Sequence, residues 1–304
     1  MTTTSVSSAV PTHGNYHNYH GYLCHHPGGH DSRLALLPRE LLLNACVLDV
    51  GCNEGWVSCE IAQSCGARRV VGVDIDDALV RMAWRRRRVL WSHQGATSEP
   101  SPPSSESRSK RKRVHTAPSI PQVDHFPASC QHMFGPLPIT DTDMLDSEAI
   151  AYTFPHNITF RRADWVNERI PEDDAGYDVI VAFSVSKWIH LNGGDVGLRR
   201  FFERVYASLV PGGAFILEAQ PRESYTKARK LHPVRNVAFL HPSSQLIYLF
   251  SMQTLQENAQ ALQIQPEGFE VILCSMGFDP AQRLGEPGEG REYPFHGPDQ
   301  RPNH

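Results

Sequence analysis

The sequence lacks several features that would fix a class at once. It has no Cys-x-x-Cys pair, and its seven cysteines are an odd, scattered set. That suits a reducing compartment better than a disulfide scaffold. No stretch approaches the ~20 consecutive apolar residues that a membrane-spanning helix needs. The opening "MTTTSVSSAV" has neither the basic n-region nor the apolar core of a secretory signal. Charge of one sign is also missing in bulk: the formal net charge is −4. A nucleic-acid partner would therefore have to be held by a local basic patch, since there is no global field.

What is present is an ordinary globular composition, 40% hydrophobic and 20% charged, in 304 residues. Residues 1–30 are polar and rich in His, Tyr and Gly, and read as an extended arm. Residues 31–91 open with a short helical stretch and then run apolar from Ala45 to Val50, as a buried parallel strand does. "EGWVSCEIAQSCGA" has helical spacing, with Val57, Ile61 and Ala62 on one face and Gly66 as a C-cap. "RRVVGVDID" is a second strand. "DALVRMAWRRRRVLW" is a second helix, apolar at Leu79, Met82 and Ala83. Residues 92–150 are dense in Ser and Pro, lack apolar periodicity, and read as a disordered insertion. Residues 151–280 resume with the strands "NITFRRADW" and "YDVIVAFSVSKWIHL", the helix "GLRRFFERVYASLV", a Pro-Gly-Gly turn and the strand "AFILEAQ". Residues 281–304 form a C-terminal tail. The order predicts one α/β domain with a doubly wound, mostly parallel sheet, built around a long insertion. The apolar stretch from His232 to Met252 matches neither the helix nor the strand template.

"VLDVGCNEG" is the most informative stretch. A strand enters a glycine turn that opens a helix, and Asp74 ends the next strand, the layout of a nucleotide-type site. Gly51 and Gly55 are expected to let backbone approach a ligand, and Asp74 to accept from both ribose hydroxyls. Asn53 occupies the second glycine of the dinucleotide fingerprint, which argues against a pyrophosphate. Asp49 places a carboxylate near the turn, where it suits an ammonium group and repels a phosphate. The pattern favours S-adenosylmethionine over a nicotinamide dinucleotide. For each motif taken singly, the blander reading is a tight turn at Gly51 and a helix cap at Asp74.

The chain resembles the family of S-adenosylmethionine-dependent RNA 5′-phosphate methyltransferases of the methylphosphate capping enzyme and bicoid-interacting group. The matching runs are "GNYHNYHGY", "VLDVGCNEG", "VVGVDID", "FPHNITFRRADW", "SVSKWIHLNGGDVGLRRFFERVYASLVPGG" and "LEAQPRESYTKARK". The resemblance implies a Rossmann-like methyltransferase fold. It implies that Gly51, Cys52 and Asn53 line the cofactor, that Asp74 and Ile75 hold its ribose and adenine edge, and that Asp164 and Trp165 flank the adenine. It places Phe183 beside the methionine portion, with Arg33 reaching the methionine carboxylate. Three departures stand out: His20 replaces a tyrosine, Asp164-Trp165 stands where some members carry Asn-Tyr, and Arg222 takes the place of a tryptophan.

The implied reaction adds one methyl group to the 5′-terminal (gamma) phosphate of a small non-coding RNA. A terminal phosphate with a second pKa of roughly 6 is already anionic, so no strong base is needed. Lys187 and His190, after the fourth strand, are expected to face the transferred methyl and neutralise or hydrogen-bond the phosphate. Arg222, Gln220 and Lys227 are placed on the substrate side. Tyr16, Tyr19 and Tyr22 read as a lid that stacks on or bonds the first nucleotide, with Tyr16 at the phosphate. A merely disordered tail is the blander reading of the arm; zinc on the neighbouring histidines is the sharper alternative, but only Cys24 is near, so no metal is expected. Arg161, Arg162, Arg229 and Lys230 are further candidates for RNA. Arg199, Arg200 and Arg204 read as a solvated helix face, and Arg85 to Arg88 as a helix end. "KRKR" at Lys110 to Arg113 suits nuclear import or an RNA tether. The expectation is a nuclear monomer without a membrane role, a ribonucleoprotein partner being left open. The rivals are a methyltransferase for a small molecule or protein, an idle RNA-binding scaffold of the same fold, and, last, a nicotinamide oxidoreductase.

Overall fold

The computed structural model describes residue 13 and residues 30–93, 133–139, 152–229, 257–284 and 293–296, with side chains at 226–229 and 293–296 left aside. Seven strands form one sheet: β1 (Cys46–Val50), β2 (Arg69–Asp74), β3 (Ile158–Arg162), β4 (Tyr177–Phe183), β5 (Leu209–Glu218), β6 (Gln282–Leu284) and β7 (Tyr293–His296). Their spatial order is β3-β2-β1-β4-β5-β7-β6. The first five are parallel, while β7 runs antiparallel to both β5 and β6.

The helices are α1 (Ser32–Ala35), α2 (Arg39–Leu42), α3 (Trp56–Ser64), α4 (Asp77–Ser92), α5 (Ser186–Ser208), α6 (Arg222–Arg229) and α7 (Phe269–Ser275). Central strands of a sheet covered on both faces must be apolar at every position, and alternate residues then feed two cores. Val47, Val179, Val181 and Ile216 pack on the side of α3 and α4 with Ile61, Ala83 and Phe160. Leu48, Ile180, Phe215 and Leu217 pack on the other side with Leu198, Phe201, Phe202 and Val205 of α5 and Leu273 of α7.

Three local expectations change, the first being that the strand carried through Leu191 ends at Phe183, with Ser186 to Leu191 opening α5. Met82 is 40% exposed, and Val80 joins Leu79 and Ala83 in the core. Helix α5 ends at Ser208, and β5 is assigned from Leu209, with a register shift opposite Tyr177 and Val179 before regular pairing from Ala214. Of the stretch 92–150, only Ser92, His93 and residues 133–139 are described, and the apolar stretch 232–252 lies outside the described residues.

The topology decides where a ligand goes. The chain moves outward from β1 to β2 and β3, then returns to build β4 and β5 on the other side. The loops after β1 and β4 therefore diverge and leave a crevice at the carboxyl ends of these two strands.

Candidate active site

A cavity of about 400 Å³ opens at that crevice. Its walls include Gly51 and Asn53 after β1, Asp74 and Ile75 after β2, Asp164 to Asn167 after β3, Phe183 to Val185 and Lys187 after β4, and Gln220 after β5. The volume lies in the range of small-molecule sites.

The β1 turn is built from left-handed residues. Gly51 has φ +76°, and a Cβ there would stand 2.7 Å from Val185 Cγ2, so the bare turn packs directly against the Val185 side chain of the β4 loop. Gly55, φ +74°, serves packing: its Cβ would strike Ala83 and Phe160, and the glycine lies away from the cavity wall, contrary to the expected approach to a ligand. Asn53 is also left-handed at φ 51°. Asparagine tolerates this region, and its Oδ1 accepts from the Glu54 N–H at 2.8 Å. The amides of Gly51 and Cys52 both donate to the Val73 carbonyl, so this turn ties β1 to β2 and offers those two donors to no ligand.

Asp74 is held by the same turn. Its Oδ2 accepts from Asn53 N–H at 2.9 Å and its Oδ1 from Asp76 N–H at 3.0 Å. A carboxylate has about four lone-pair positions, and with the Ile75 N–H as a third backbone donor one is left for a hydroxyl. Burial raises its pKa to about 6, against the opposing pull of those backbone donors. Asp49, one strand earlier, accepts from Ser58 Oγ at 2.5 Å, and burial likewise raises it to about 6.

A smaller cavity of about 30 Å³ adjoins the first, sharing Gly51, Asn53 and Phe183 with it and adding Arg33, Asp49, Cys52, Trp56 and Val57. Arg33 is buried, with both Nε and Nη2 on Asp31 (2.8 and 2.6 Å) and Nη1 on Glu218 (2.7 Å). Its guanidinium lies 4.5 Å over the Phe183 ring. Cys52 is a buried thiol whose pKa burial and Asp74 push up, so it stays protonated.

At the far end, Asp164 Oδ2 accepts from Asn167 Nδ2 at 2.7 Å, and Arg200 Nη1 donates to Asn167 Oδ1 at 2.6 Å. Trp165 is buried, donates Nε1–H to Asp173 at 3.0 Å, and has the Arg204 guanidinium 4.7 Å from its ring centre. Arg204 also reaches Asp173 Oδ2 at 2.8 Å. Arg200 and Arg204 are thus fasteners for the loop after β3, which corrects the solvated-face reading. Helix periodicity held the missed signal: Asn192, Val196 and Arg200 recur every four residues and all line the cavity.

On the opposite wall, Lys187 lines the cavity with its Nζ 4.9 Å from the Trp188 ring centre. Burial lowers its pKa, and among the described residues no carboxylate pairs with it. Gln220 spans the wall beside it, donating to the Ser184 carbonyl and accepting weakly from Lys187 N–H at 3.4 Å. His190 is not brought there. Its ring is fully buried outside the cavity lining, with Nε2 2.7 Å from Asp195 Oδ1 and Nδ1 3.4 Å from Tyr225 Oη. The expected contact with a phosphate is corrected to a core imidazole with both nitrogens engaged.

Arg222 is exposed at the start of α6 and does not line the cavity. Arg161 is occupied by Glu172 at 2.7 and 3.0 Å, and Arg162 lies on the surface near Asp76 and Asp77. Arg86 stacks on Trp56 and donates to the Glu54 carbonyl, and Arg87 donates to Pro155. Tyr16, Tyr19, Tyr22, His20, Cys24, Lys230 and the basic run Lys110 to Arg113 lie outside the described residues, as do the side chains of Lys227 and Arg229.

The donor set fits S-adenosylmethionine. A glycine turn without room for a Cβ, a buried carboxylate with a free lone pair at the next strand end, and an Arg33–Asp49 pocket suited to an amino-acid tail recur in one connected space. The fold is Rossmann-like, and its site suits S-adenosylmethionine as the cofactor. Residues 47–106 match the family model described as a methyltransferase domain, and residues 177–298 match Bicoid-interacting protein 3 (Bin3).

The chain is also similar to methylphosphate capping enzymes. It is 34% identical over 286 residues to a 7SK snRNA methylphosphate capping enzyme of Mus musculus, covering 90% of this chain and 38% of that protein. The Homo sapiens enzyme of the same name is 32% identical over 282 residues, covering 90% and 37%. A U6 snRNA methylphosphate capping enzyme of Drosophila melanogaster is 28% identical over 281 residues, covering 90% and 69%. The chain thus spans less than two-fifths of the length of the two mammalian relatives.

Proposed function

We propose that the chain methylates the 5′-terminal phosphate of a small RNA. The observation that carries this reading is the Lys187 ammonium, half-buried in the cavity wall with no carboxylate partner among the described residues. The wall around it, formed by Ser184, Val185, Trp188 and Gln220, offers neither a carboxylate nor an imidazole. A hydroxyl, amine or ring carbon would need a group there to take its proton; an ionised phosphate oxygen does not. Fixed positive charge and alignment are what such an acceptor requires.

S-adenosylmethionine supplies the methyl group on a positively charged sulfur when bound. Asp74 would hold a ribose hydroxyl, Ile75, Asp164 and Trp165 the adenine, Gly51, Cys52 and Asn53 the turn against which it lies, and Phe183, Asp49 and Arg33 the amino-acid end. Lys187 would draw the phosphate into the cavity and offset its charge, while Gln220 fixes the backbone that carries the lysine. Burial lowers the Lys187 pKa, and an incoming dianion would raise it again. Of the arm 1–30, only His13 and His30 are described, and His13 lines the cavity between Ile75 and Asp164. The lid read from the arm, with Tyr16 at the phosphate and Tyr19 and Tyr22 at the first nucleotide, is part of this proposal on the sequence alone, these tyrosines lying outside the described residues. Arg222 and Lys227, on α6, would guide the RNA toward it. The names of the relatives favour a small nuclear RNA, hence a nuclear site of action; a monomer assisted by a ribonucleoprotein partner is compatible with this reading.

The test supplies labelled S-adenosylmethionine with one structured RNA bearing either a 5′-triphosphate or a 5′-hydroxyl. The reading expects label in the phosphorylated RNA alone. Label in both would mean base or sugar methylation, and label in neither, with the cofactor bound, would favour an RNA-binding scaffold.

A further inference from the structure

Lys187 rides on a helix that is broken two turns later. Gly194 adopts φ 63°, ψ −170°, which divides α5 into a first segment, residues 186–193, and a second that starts at Asp195. The second is anchored on the sheet through Leu198, Phe201, Phe202 and Val205. The first forms the cavity wall with Lys187, Trp188, Ile189 and Asn192. A break of this kind frees carbonyls that need donors. Asn258 supplies them, its Nδ2 reaching the carbonyls of Leu191 and Asn192 at 3.0 Å each.

A second fastening crosses the break itself. His190, the last residue but three before Gly194, places Nε2 2.7 Å from Asp195 Oδ1, the first residue after it. Asp195 also receives the backbone N–H groups of Gln263, at 3.0 Å, and Ile264, at 3.3 and 3.4 Å. On its other side the imidazole meets the Tyr225 hydroxyl of α6 at 3.4 Å and lies edge-on to the rings of Tyr225 and Phe269. Burial lowers its pKa against the pull of Asp195, so the neutral ring donates from Nε2 and accepts at Nδ1. One uncharged ring therefore ties the first segment of α5 to its second, to the 263–264 strand of chain and to α6.

We infer that His190 and Asp195 are a positioning pair which sets the Lys187 segment against the cavity, and that neither residue touches the phosphate. The catalytic part of this inference rests on the proposed methyl transfer to a phosphate. Its structural part does not.

The test compares His190→Ala, His190→Gln and Asp195→Ala in the full chain, and reads cofactor affinity, kcat and KM on 5′-triphosphate RNA, and the titration of Lys187 by NMR of methyl-labelled lysine. His190→Ala and Asp195→Ala should each lower kcat by about 30–100-fold, the scale of a misplacement near 1 Å. Cofactor affinity should stay within about twofold, because its wall belongs to other strands. Both variants should also let the Lys187 titration move up toward that of an ordinary lysine, as the segment loosens and admits water. Glutamine offers an amide N–H near the place of Nε2 and cannot become a cation; His190→Gln should recover most of the activity and the low lysine titration. Equal failure of His190→Gln and His190→Ala beside an active Asp195→Ala would show the imidazole acting at the phosphate and overturn the inference. An unmoved lysine titration in His190→Ala would also overturn it, as would loss of cofactor binding in step with kcat. The titration uses no RNA, so a wild-type chain that leaves RNA unmethylated sinks the proposed function while the pair is still judged.

Discussion

The two ends of the cavity are built on opposite principles. At the β1–β2 end almost every polar group is already committed: Asp74 to backbone donors, Asp49 to Ser58, the amides of Gly51 and Cys52 to Val73. At the β4–β5 end the decisive group, Lys187, lacks a carboxylate partner among the described residues and sits on a helix broken at Gly194. The first end suits a ligand that is always the same and can be bound by a rigid, preorganised wall. The second suits an anion that arrives and leaves, for which an uncompensated charge on an adjustable support is the better device. Preorganisation and adjustability are thus assigned to different strands of one sheet.

Two substitutions should separate the ends most sharply. Asp74→Ala removes the ribose acceptor and two turn-closing bonds together, so cofactor affinity should fall by at least ~100-fold, given about 1.5–3 kcal/mol for each hydrogen bond to a charged group. Calorimetric titration checks this, and an unchanged dissociation constant would defeat the cofactor assignment. Lys187→Ala should do the reverse. Cofactor affinity should hold within about twofold, while turnover on phosphorylated RNA drops by roughly 100-fold or more, as when one charge-stabilising donor is lost. Turnover that survives would remove the lysine from the phosphate. Gly51→Ala comes next: it forces a Cβ to within 2.7 Å of Val185 at φ +76°. It should destabilise the fold by about 1–3 kcal/mol, the cost of such backbone strain, seen as a lower denaturant midpoint.

The same division explains what could be read from the sequence. The β1–β2 end is local: a strand, a turn and a helix contiguous in the chain, so "VLDVGCNEG" and Asp74 announce both the fold and the nucleoside site. Asn53 looked like a defect in a glycine code, and the structure shows why it is tolerated, as a left-handed asparagine that closes its own turn. The β4–β5 end depends on packing between distant segments. Nothing near His190 in the chain says that its partners will be Tyr225 and an aspartate held by Gln263 and Ile264, so a histidine three residues after Lys187 passed for a second phosphate ligand. Arg200 and Arg204 were misjudged for a related reason. Arginines on a helix are commonly solvated, and only the tertiary position of Asn167 and Trp165 turns these two into supports for the loop after β3.

The finest comparison is between the two buried carboxylates and water. Asp49 has an ordinary pKa of about 3.9 in an unfolded chain and about 6 in the fold, raised by burial. Between these values the folded protein holds a proton that the unfolded chain has released, so stability falls as pH rises through that window. Above pH 6 the cost is complete. Asp74 acts with the same sign. Asp49→Asn abolishes the first contribution and can keep the Ser58 bond by accepting through its amide oxygen, so the ligand-free variant should be more stable than wild type at pH 7, by on the order of 1–3 kcal/mol, and no more stable at pH 4. The gain should be lost on the ligand. A deprotonated Asp49 beside Arg33 favours an ammonium group, so the variant should bind S-adenosylmethionine about 10-fold more weakly, the value of one charge-assisted contact, and wild-type affinity should decline as pH falls below 6. Chemical denaturation at the two pH values, with and without cofactor, reads all of this in one experiment. A variant less stable than wild type at pH 7, with undiminished affinity, would mean that Asp49 supports the turn through Ser58 and plays no part in holding the ligand.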